Sequence, residues 1–326
     1  MKTIVTQNPG QSVLQEIPMP QMHDDDVLIK LKYCGVCYSE HHEWKTKGGA
    51  FGHEPMGIIV QVGKNVEGFA VGDRVSGLWG NTLPGSGGMV QYAVANPRTE
   101  TVVKLPDNVR DEDLVLEPLA CIYSAVSKTR CAMPGTHVCV VGCGYMGCGA
   151  VSLLKARGCY VVAVDIRETS RKDALTYGAD EALHPEDALE RYSTTQGHHG
   201  FSVVMEWGET NESLDTAIQL TGMCGQLCVG AYHTGGKRLV DVQQLNIKAI
   251  DMLSVHPREA NLTDIGARHA AEMLGSSAWN YKNIPTMIYP MSKFDQAQAD
   301  LEHKYGHHMK ALIDMETEDG EPYMAQ

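Results

Sequence analysis

The sequence predicts an α/β protein in which a β-rich region is joined to a doubly wound parallel sheet. Residues 1 to about 100 are rich in Gly and Pro and contain short alternating segments such as 27–32, which is typical of antiparallel strands. From about residue 136 onward, buried strand-like segments alternate with helix-like segments. This alternation indicates parallel strands connected by crossover helices.

The parallel sheet is predicted from a regular succession of apolar, β-branched runs separated by amphipathic stretches. After the last strand of this sheet, at 250–255, the chain is expected to return to the β-rich region. Strands are expected at 138–141, 160–164, 201–204, 226–229 and 250–255, with helices after Gly144 and at 169–177 and 212–220.

The C-terminal part is predicted to contain helices at 262–274 and 294–301 and strands at 284–290 and 309–313. The tail 316–326 is acidic and contains Gly and Pro, so we expect it to be frayed. The predicted domains are a β-rich domain of residues 1–120 and 258–326 and a parallel-sheet domain of residues 121–257.

Composition excludes several classes of function. The chain has 326 residues, of which 43% are hydrophobic and 21% charged, and its net charge is -13, which argues against a nucleic-acid partner. It has neither a signal-peptide pattern nor an apolar run long enough to span a bilayer, so a cytoplasmic location is expected. The 10 cysteines are then expected to be reduced thiols.

A glycine-rich turn separates the first strand of the predicted sheet from its helix. Gly142, Gly144 and Gly147, with Tyr145 and Met146 between the last two, match the pattern G-x-G-x-x-G. The first glycine permits a tight turn, the second lets the backbone approach a pyrophosphate, and the third lets the helix pack closely on the strand. The helix N-terminus favours the phosphate charge, so a dinucleotide site is predicted here.

Asp165 ends the second strand of the predicted sheet and refines the choice of cofactor. A carboxylate at this position accepts hydrogen bonds from the adenosine ribose and repels a 2′-phosphate, which favours NAD over NADP. Arg167 and Arg171 keep the alternative open, because a guanidinium could bind a phosphate if Asp165 turned away.

A metal site is predicted from residues of the β-rich region. Cys37 and His53 offer the thiolate and imidazole ligands that zinc prefers, and Glu54 or Glu117 can supply a carboxylate as third ligand. A catalytic zinc keeps its fourth position open for water or substrate. Both carboxylates remain candidates.

Other clusters of metal-binding residue types have simpler interpretations. Cys34 and Cys37 form a C-x-x-C, but there is no second pair for a zinc knuckle and no following βαβ unit for a redox motif. The pairs at 198–199 and 307–308 are histidines next to glycines in predicted loops, so we expect them to be surface residues.

Taken together, these motifs resemble the zinc-dependent medium-chain dehydrogenases, and within them the sorbitol and polyol dehydrogenase branch. The resemblance covers nearly the whole chain. It implies that residues 1–120 and 258–326 form a catalytic domain with a GroES-like fold, and that residues 121–257 form an NAD-binding domain with a Rossmann fold. It depends on Cys37 with the residues after it, Gly52-His53-Glu54, the segments 71–75 and 117–120, the glycine turn with Asp165, and the segment 310–313.

The resemblance also implies roles for single residues. Ser39 matches the hydroxyl that relays the substrate proton, and His42 matches the outer end of that relay. Val229 and Gly230 fall where relatives approach the nicotinamide half of the cofactor, and His256 stands where the polyol branch often has Arg. Cys37, His53, Glu54 and Glu117 match ligand positions around the catalytic zinc.

Three departures from the family pattern bear on function. No cysteine lies between residues 73 and 100, where many relatives have a structural zinc lobe, so one zinc per chain is expected. The interval between Cys37 and His53 is shorter than usual, which trims a loop that borders the substrate cleft. Glu40 replaces the Asp that orients the zinc-bound histidine, so this contact is expected to be remodelled.

The function expected from these features is hydride transfer between a secondary alcohol and NAD, with a polyol, sugar or cyclitol as substrate. The partners are therefore a small alcohol or ketone, with no nucleic acid and no membrane, and a homodimer or homotetramer is expected. A threonine-type or simple secondary alcohol dehydrogenase, a zinc-free quinone or enoyl reductase, and a non-catalytic dinucleotide-binding protein are the alternatives.

Overall fold

The computed structural model describes residues 1–79, 88–130, 132–303 and 307–326. These residues form two compact units. The first comprises Met1–Pro118, Ala267–Gly275 and Lys282–Gln326, and the second comprises Leu119–Gly266 and Ser276–Tyr281.

Strands and helices are numbered in chain order. The strands are β1 (Lys2–Asn8), β2 (Gln11–Glu16), β3 (Val27–Gly35), β4 (Pro55–Val62), β5 (Arg74–Leu78), β6 (Tyr92–Ala95), β7 (Thr101–Lys104), β8 (His137–Val141), β9 (Tyr160–Val164), β10 (Glu181–Leu183), β11 (Phe201–Glu206), β12 (Thr221–Val229), β13 (Asp251–Ser254), β14 (Thr286–Pro290), β15 (Lys310–Asp314) and β16 (Tyr323–Met324). The helices are α1 (Tyr38–Thr46), α2 (Leu116–Ser127), α3 (Tyr145–Ala156), α4 (Glu168–Thr176), α5 (Pro185–Tyr192), α6 (Asn211–Leu220), α7 (Val242–Lys248), α8 (Ala260–Gly275) and α9 (Phe294–His303).

The first unit is built on a mixed sheet. Its strand order among the described residues is β16-β14-β15-β3-β4-β5-β7, with β6 also paired to β3 and with β1 and β2 forming a separate hairpin. Along β3, Val27, Ile29 and Leu31 are buried while the residues between them are partly exposed, as the alternating sequence predicts. These side chains belong to a core that also contains Phe294 of α9.

The second unit is a parallel sheet with the strand order β10-β9-β8-β11-β12-β13. The chain runs outward from β8 to β10 and then returns to β11 on the other side of β8, which is the doubly wound topology. The predicted α/β fold class is confirmed. Ligands of such sheets bind at the carboxyl ends of the strands where the order reverses, here between β8 and β11.

The C-terminal tail is ordered, so the prediction that it is frayed is wrong. Tyr323 and Met324 form β16 and pair with β14, and the amide of Ala325 donates to the carbonyl of Thr286 at 2.9 Å. The sequence is acidic, but β14 offers an open edge whose backbone groups gain partners from the tail.

Two observations concern the chain as a whole. Among the described residues, no helix combines the length and the apolar character that crossing a membrane requires. All nine described cysteines are free; Cys224 is exposed, whereas Cys131 lies outside the described residues.

Candidate functional site

The register of β3 and β4 brings the predicted metal ligands together. Cys37 follows β3 and stands at the N-cap position of α1, while His53 and Glu54 directly precede β4. The two strands are antiparallel with Cys34 opposite Pro55, and the amide of Gly35 donates to the carbonyl of Glu54 at 2.9 Å. The end of one strand and the start of the other therefore meet at one place.

The result is a compact set of donor atoms. One ligand atom each from Cys37, His53 and Glu54 lies within 4.8 Å of the others, and this is the one such grouping among the described residues. A sulfur, a nitrogen and a carboxylate oxygen are the donors that zinc takes in catalytic sites, where three protein ligands leave a position open. The side chains present fit a zinc ion.

Glu40 orients the imidazole of His53. Its Oε1 lies 2.7 Å from His53 Nδ1 and also accepts the amide of Gly52 at 2.8 Å, which leaves Nε2 as the nitrogen available to a metal. Burial lowers the pKa of His53, but hydrogen bonds to Cys37 and Glu40 and their charges outweigh it and raise that pKa. Glu40 thus makes the contact that the resemblance assigned to Asp, so the sequence change leaves the contact in place.

Glu54 is held by a buried lysine that sequence reasoning did not assign to the site. Lys310, at the start of β15, donates to Glu54 Oε2 and lies 3.4 Å from the carbonyl of Val36. Burial lowers the pKa of Lys310, but the charges of Glu54 and Cys37 more than offset this and raise it. The signal in the sequence was a lysine directly before the apolar run 311–313.

Gly35 shows how closely this pair is packed. A Cβ at Gly35 would fall 1.8 Å from Glu54 Oε2, so no other residue fits without moving the carboxylate. Gly35, two residues before Cys37, therefore makes room for Glu54.

Glu117 lies in the first turn of α2 but outside the grouping of donor atoms. Ser76 of β5 links this turn to the ligand segment, because its hydroxyl donates to Pro55 O at 2.8 Å and accepts the amide of Leu116 at 2.9 Å. The charge of Glu117 also raises the pKa of Lys310. The role of Glu117 as a metal ligand stays a prediction.

The predicted proton relay begins beside the predicted metal ligands. The hydroxyl of Ser39 donates to the sulfur of Cys37 at 3.2 Å, and His42 lies one turn further along α1 and is exposed. Residues three apart share one helix face, so Ser39 and His42 lie on the same side of α1.

The C-x-x-C alternative loses support at Cys34. This thiol is completely buried, and burial raises its pKa. A thiol that resists ionisation is a poor nucleophile for disulfide exchange. The histidines at 198 and 199 are exposed, as expected.

In the second unit, the glycine turn has the geometry of a phosphate cradle. Gly142 has φ +90°, and a Cβ on Gly147 would fall 1.9 Å from the carbonyl oxygen of Gly142. Gly144, the N-cap of α3, has no atom within 4 Å of its Cβ position, so the space above it is open. Tyr145 and Met146 begin the helix and are half-buried. This arrangement fits a pyrophosphate at the helix N-terminus.

Asp165 faces the turn. Its Oδ2 accepts the amide of Cys143 at 2.8 Å, and its Oδ1 accepts the amide of Arg167 at 2.8 Å. The Arg167 side chain contacts the same carboxylate at 3.3 Å, and Arg171 donates to the carbonyl of Asp165 at 2.9 Å. The carboxylate has not turned away from the turn, which is the orientation that suits a ribose without a 2′-phosphate.

Val229, Gly230 and His256 lie together at the carboxyl ends of β12 and β13. The amide of Val255 donates to the carbonyl of Val229 at 3.0 Å. The His256 ring lies 5.0 Å from that of Tyr232, and burial together with nearby positive charges lowers its pKa. Their part in cofactor binding stays a prediction.

Comparison with protein families finds two matching domain models. A model described as an alcohol dehydrogenase GroES-like domain matches residues 23–107, and one described as a zinc-binding dehydrogenase matches residues 146–272. The first contains Cys37, His53 and Glu54, and the second begins in the glycine turn.

Similar proteins extend over nearly the full chain. A sorbitol dehydrogenase of Bacillus subtilis is 26% identical over 333 residues, which cover 91% of this chain and 92% of that protein. A D-arabitol-phosphate dehydrogenase of Enterococcus avium is 26% identical over 98% of this chain and 99% of its own length. Among solved structures, an oxidoreductase of unknown specificity from Escherichia coli has a TM-score of 0.84 at 22% identity, covering 96% of this chain and 98% of its own.

Proposed function

The chain belongs to the zinc-dependent medium-chain dehydrogenase family, and on that premise we propose that it oxidises a secondary alcohol, most favourably a polyol, with NAD. The enzyme class follows from the family. The identity of the metal, the ligand set, the nucleotide and the alcohol are the proposal.

One observation supports the proposal above all others, namely the grouping of Cys37, His53 and Glu54 within 4.8 Å. A zinc-free reductase of this fold has no need for a thiol, an imidazole and a carboxylate at one point. A bound zinc ion would supply Lewis-acid polarisation of the alcohol oxygen, and NAD would supply the hydride acceptor.

The residues around the donors have distinct tasks in this proposal. Ser39 accepts the proton of the substrate hydroxyl and releases its own toward His42, which is exposed and passes a proton to solvent. Glu40 keeps the His53 ring in one orientation, and Lys310 restrains Glu54.

The cofactor proposed is NAD. The open space at Gly144 accommodates the pyrophosphate, and Asp165 accepts the adenosine ribose hydroxyls. The similarity to a sorbitol dehydrogenase and a D-arabitol-phosphate dehydrogenase favours a polyhydroxylated substrate over a simple or amino alcohol.

A Cys37→Ser variant tests this function. The purified wild type is expected to contain one zinc per chain and to reduce NAD with a polyol, read at the NADH absorbance. The variant should lose its zinc and lose activity by about 10³-fold, equivalent to roughly 4 kcal/mol of transition-state stabilisation. Its affinity for NADH should not change, because Cys37 belongs to the first unit and the glycine turn to the second.

Cys224→Ser is the matched control, because Cys224 is an exposed thiol of the second unit and should be replaceable without effect. A Cys37→Ser variant that keeps full activity would overturn the zinc mechanism. Activity with secondary alcohols lacking further hydroxyls, and none with polyols, would overturn the choice of substrate.

The assembly and compartment belong to the same proposal. We expect a homodimer or homotetramer in the cytoplasm, with residues 1–120 and 258–326 as catalytic domain and 121–257 as NAD-binding domain. The free cysteines support a reducing compartment. The edge strand β13 supports self-association.

A further inference from the structure

A cluster of polar residues lies beside the glycine turn, at the carboxyl ends of β11 and β12. Glu206 is the last residue of β11, the strand next to β8 across the point where the strand order reverses. A Cβ on Gly142 would fall 2.7 Å from the carbonyl carbon of Trp207 and the amide of Gly208. The segment after Glu206 therefore touches the turn proposed to hold the pyrophosphate.

Glu206 is completely buried and its carboxylate is well supplied with donors. Oε1 accepts the amide of Gly208 at 2.7 Å, the amide of Glu209 at 3.1 Å and the hydroxyl of Ser213 at 2.6 Å. Oε2 lies 2.9 Å from Nε2 of His233, which follows β12. The cluster is therefore a fixed anchor for the His233 ring.

This anchor determines which nitrogen of His233 is free. An ionised carboxylate only accepts hydrogen bonds, so Nε2 carries the proton and, in the neutral ring, Nδ1 carries the lone pair. Nδ1 is buried and has no hydrogen-bond partner among the described residues. Buried polar atoms without a partner are uncommon in folded proteins, and they point to a ligand that supplies the missing group.

Backbone strain marks the same two loops. His233 has φ +53° and Glu209 has φ +62°, both in the left-handed region that disfavours residues other than glycine. Burial raises the pKa of Glu209, whose carboxyl lies near His233. Strained residues held by surrounding hydrogen bonds are concentrated at ligand sites.

The position of His233 identifies the part of the ligand it faces. A doubly wound sheet binds the two mononucleotide halves of a dinucleotide on either side of the reversal point. Asp165, after β9, accounts for the adenosine half, so His233 lies on the side of the other half. A lone pair requires a donor, which the pyrophosphate lacks and a ribose hydroxyl offers.

We propose that His233 binds the second ribose of the dinucleotide, accepting a hydrogen bond from its hydroxyl through Nδ1, with Glu206 as the positioning residue. The inference rests on the proposed function in that the ligand is NAD. It adds a cofactor-binding residue that neither the glycine turn nor the similarity to other dehydrogenases indicates.

Three ligands of increasing length test the contact by calorimetry on the purified protein. ADP contains only the adenosine half, ADP-ribose adds the second ribose, and NADH adds the nicotinamide. His233→Phe keeps a ring and loses both nitrogens. It should lower the affinity for ADP-ribose and for NADH by about tenfold and leave the affinity for ADP unchanged.

His233→Asn is the second variant, because Asn tolerates positive φ but is too short to reach the same point, and it should give the same pattern. His198→Asn, an exposed histidine of the same unit, should leave all three affinities unchanged.

The other outcomes are equally informative. An equal loss of affinity for all three ligands would mean that His233 has a purely structural role. A loss of affinity for NADH alone would place the contact at the nicotinamide, and no change would mean that there is no contact. Each of these results overturns the proposal. A wild type that binds neither ADP nor NADH would instead refute the proposed function itself.

Discussion

At the scale of single residues, the geometry of the candidate site depends on two side chains that contact the proposed metal ligands but are not proposed as ligands themselves. Glu40 holds His53, and Lys310 holds Glu54. These contacts fix the orientation of an imidazole and a carboxylate before any metal binds, so the protein does not have to order them at the moment of binding. Lys310 also balances part of the negative charge of the donor set.

The contribution of the Glu54–Lys310 pair can be measured directly. Lys310→Met leaves the Glu54 carboxylate buried without its partner, so the free energy of unfolding should fall by about 3–5 kcal/mol. The measurement is denaturant unfolding in the presence of a chelator, which removes any contribution from metal. The double variant Glu54→Gln with Lys310→Met should recover much of the loss, because no uncompensated charge remains.

Lys45→Met is the control for that experiment. Lys45 pairs with Glu302 on the surface, and losing an exposed pair should cost about 0.2–1 kcal/mol. If Lys310→Met lowers the free energy of unfolding no more than Lys45→Met does, the Lys310–Glu54 pair does not act as a buried ion pair.

At the scale of elements, the three glycines of the turn between β8 and α3 are required for different reasons. Gly142 needs its positive φ, Gly147 needs the absence of a Cβ, and Gly144 needs neither for folding. The fold therefore does not require the open space at Gly144, and the proposed pyrophosphate site does.

Two alanine substitutions should separate these reasons. Gly147→Ala forces a Cβ against the carbonyl of Gly142 and should lower the free energy of unfolding by about 1–3 kcal/mol. Gly144→Ala fills only open space, so stability should be unchanged while NADH binds at least about tenfold more weakly. Thermal unfolding and NADH titration distinguish the two, and a Gly144→Ala protein that binds NADH normally would contradict the assignment of the pyrophosphate site.

At the scale of the whole molecule, the two chemical functions are divided between the two compact units. The thiol, imidazole and carboxylate donors belong to the first unit, and the glycine turn with Asp165 belongs to the second. The proposed reaction requires both, so neither unit alone is expected to be active.

Self-association is the prediction that belongs to this scale. β13 is the last strand of the parallel sheet, its other edge has no strand partner among the described residues, and Met252 is 39% exposed. If the wild type is the expected dimer or tetramer, Met252→Lys, which places a charge on this edge, should give a smaller species in sedimentation velocity. Met133→Lys, at another exposed methionine of the same unit, should have no effect; a monomeric wild type would show the expectation to be wrong.

The sequence by itself determined the fold class and the glycine turn, because hydrophobic periodicity and glycine spacing are local properties of the chain. It also identified Cys37 and His53 as candidate metal ligands, but it left the choice between Glu54 and Glu117 open. It did not predict that the tail is ordered, because an acidic composition does not reveal that β14 has an open edge with which β16 can pair.

Only the tertiary structure decided which distant side chains meet. Lys310 reaches Glu54 because β15 pairs with β3, and His233 reaches Glu206 because β12 lies beside β11. Such contacts depend on strand order and register, which place residues far apart in sequence within hydrogen-bond distance. The local sequence can mark Lys310 as unusual, but it does not indicate which residue Lys310 meets.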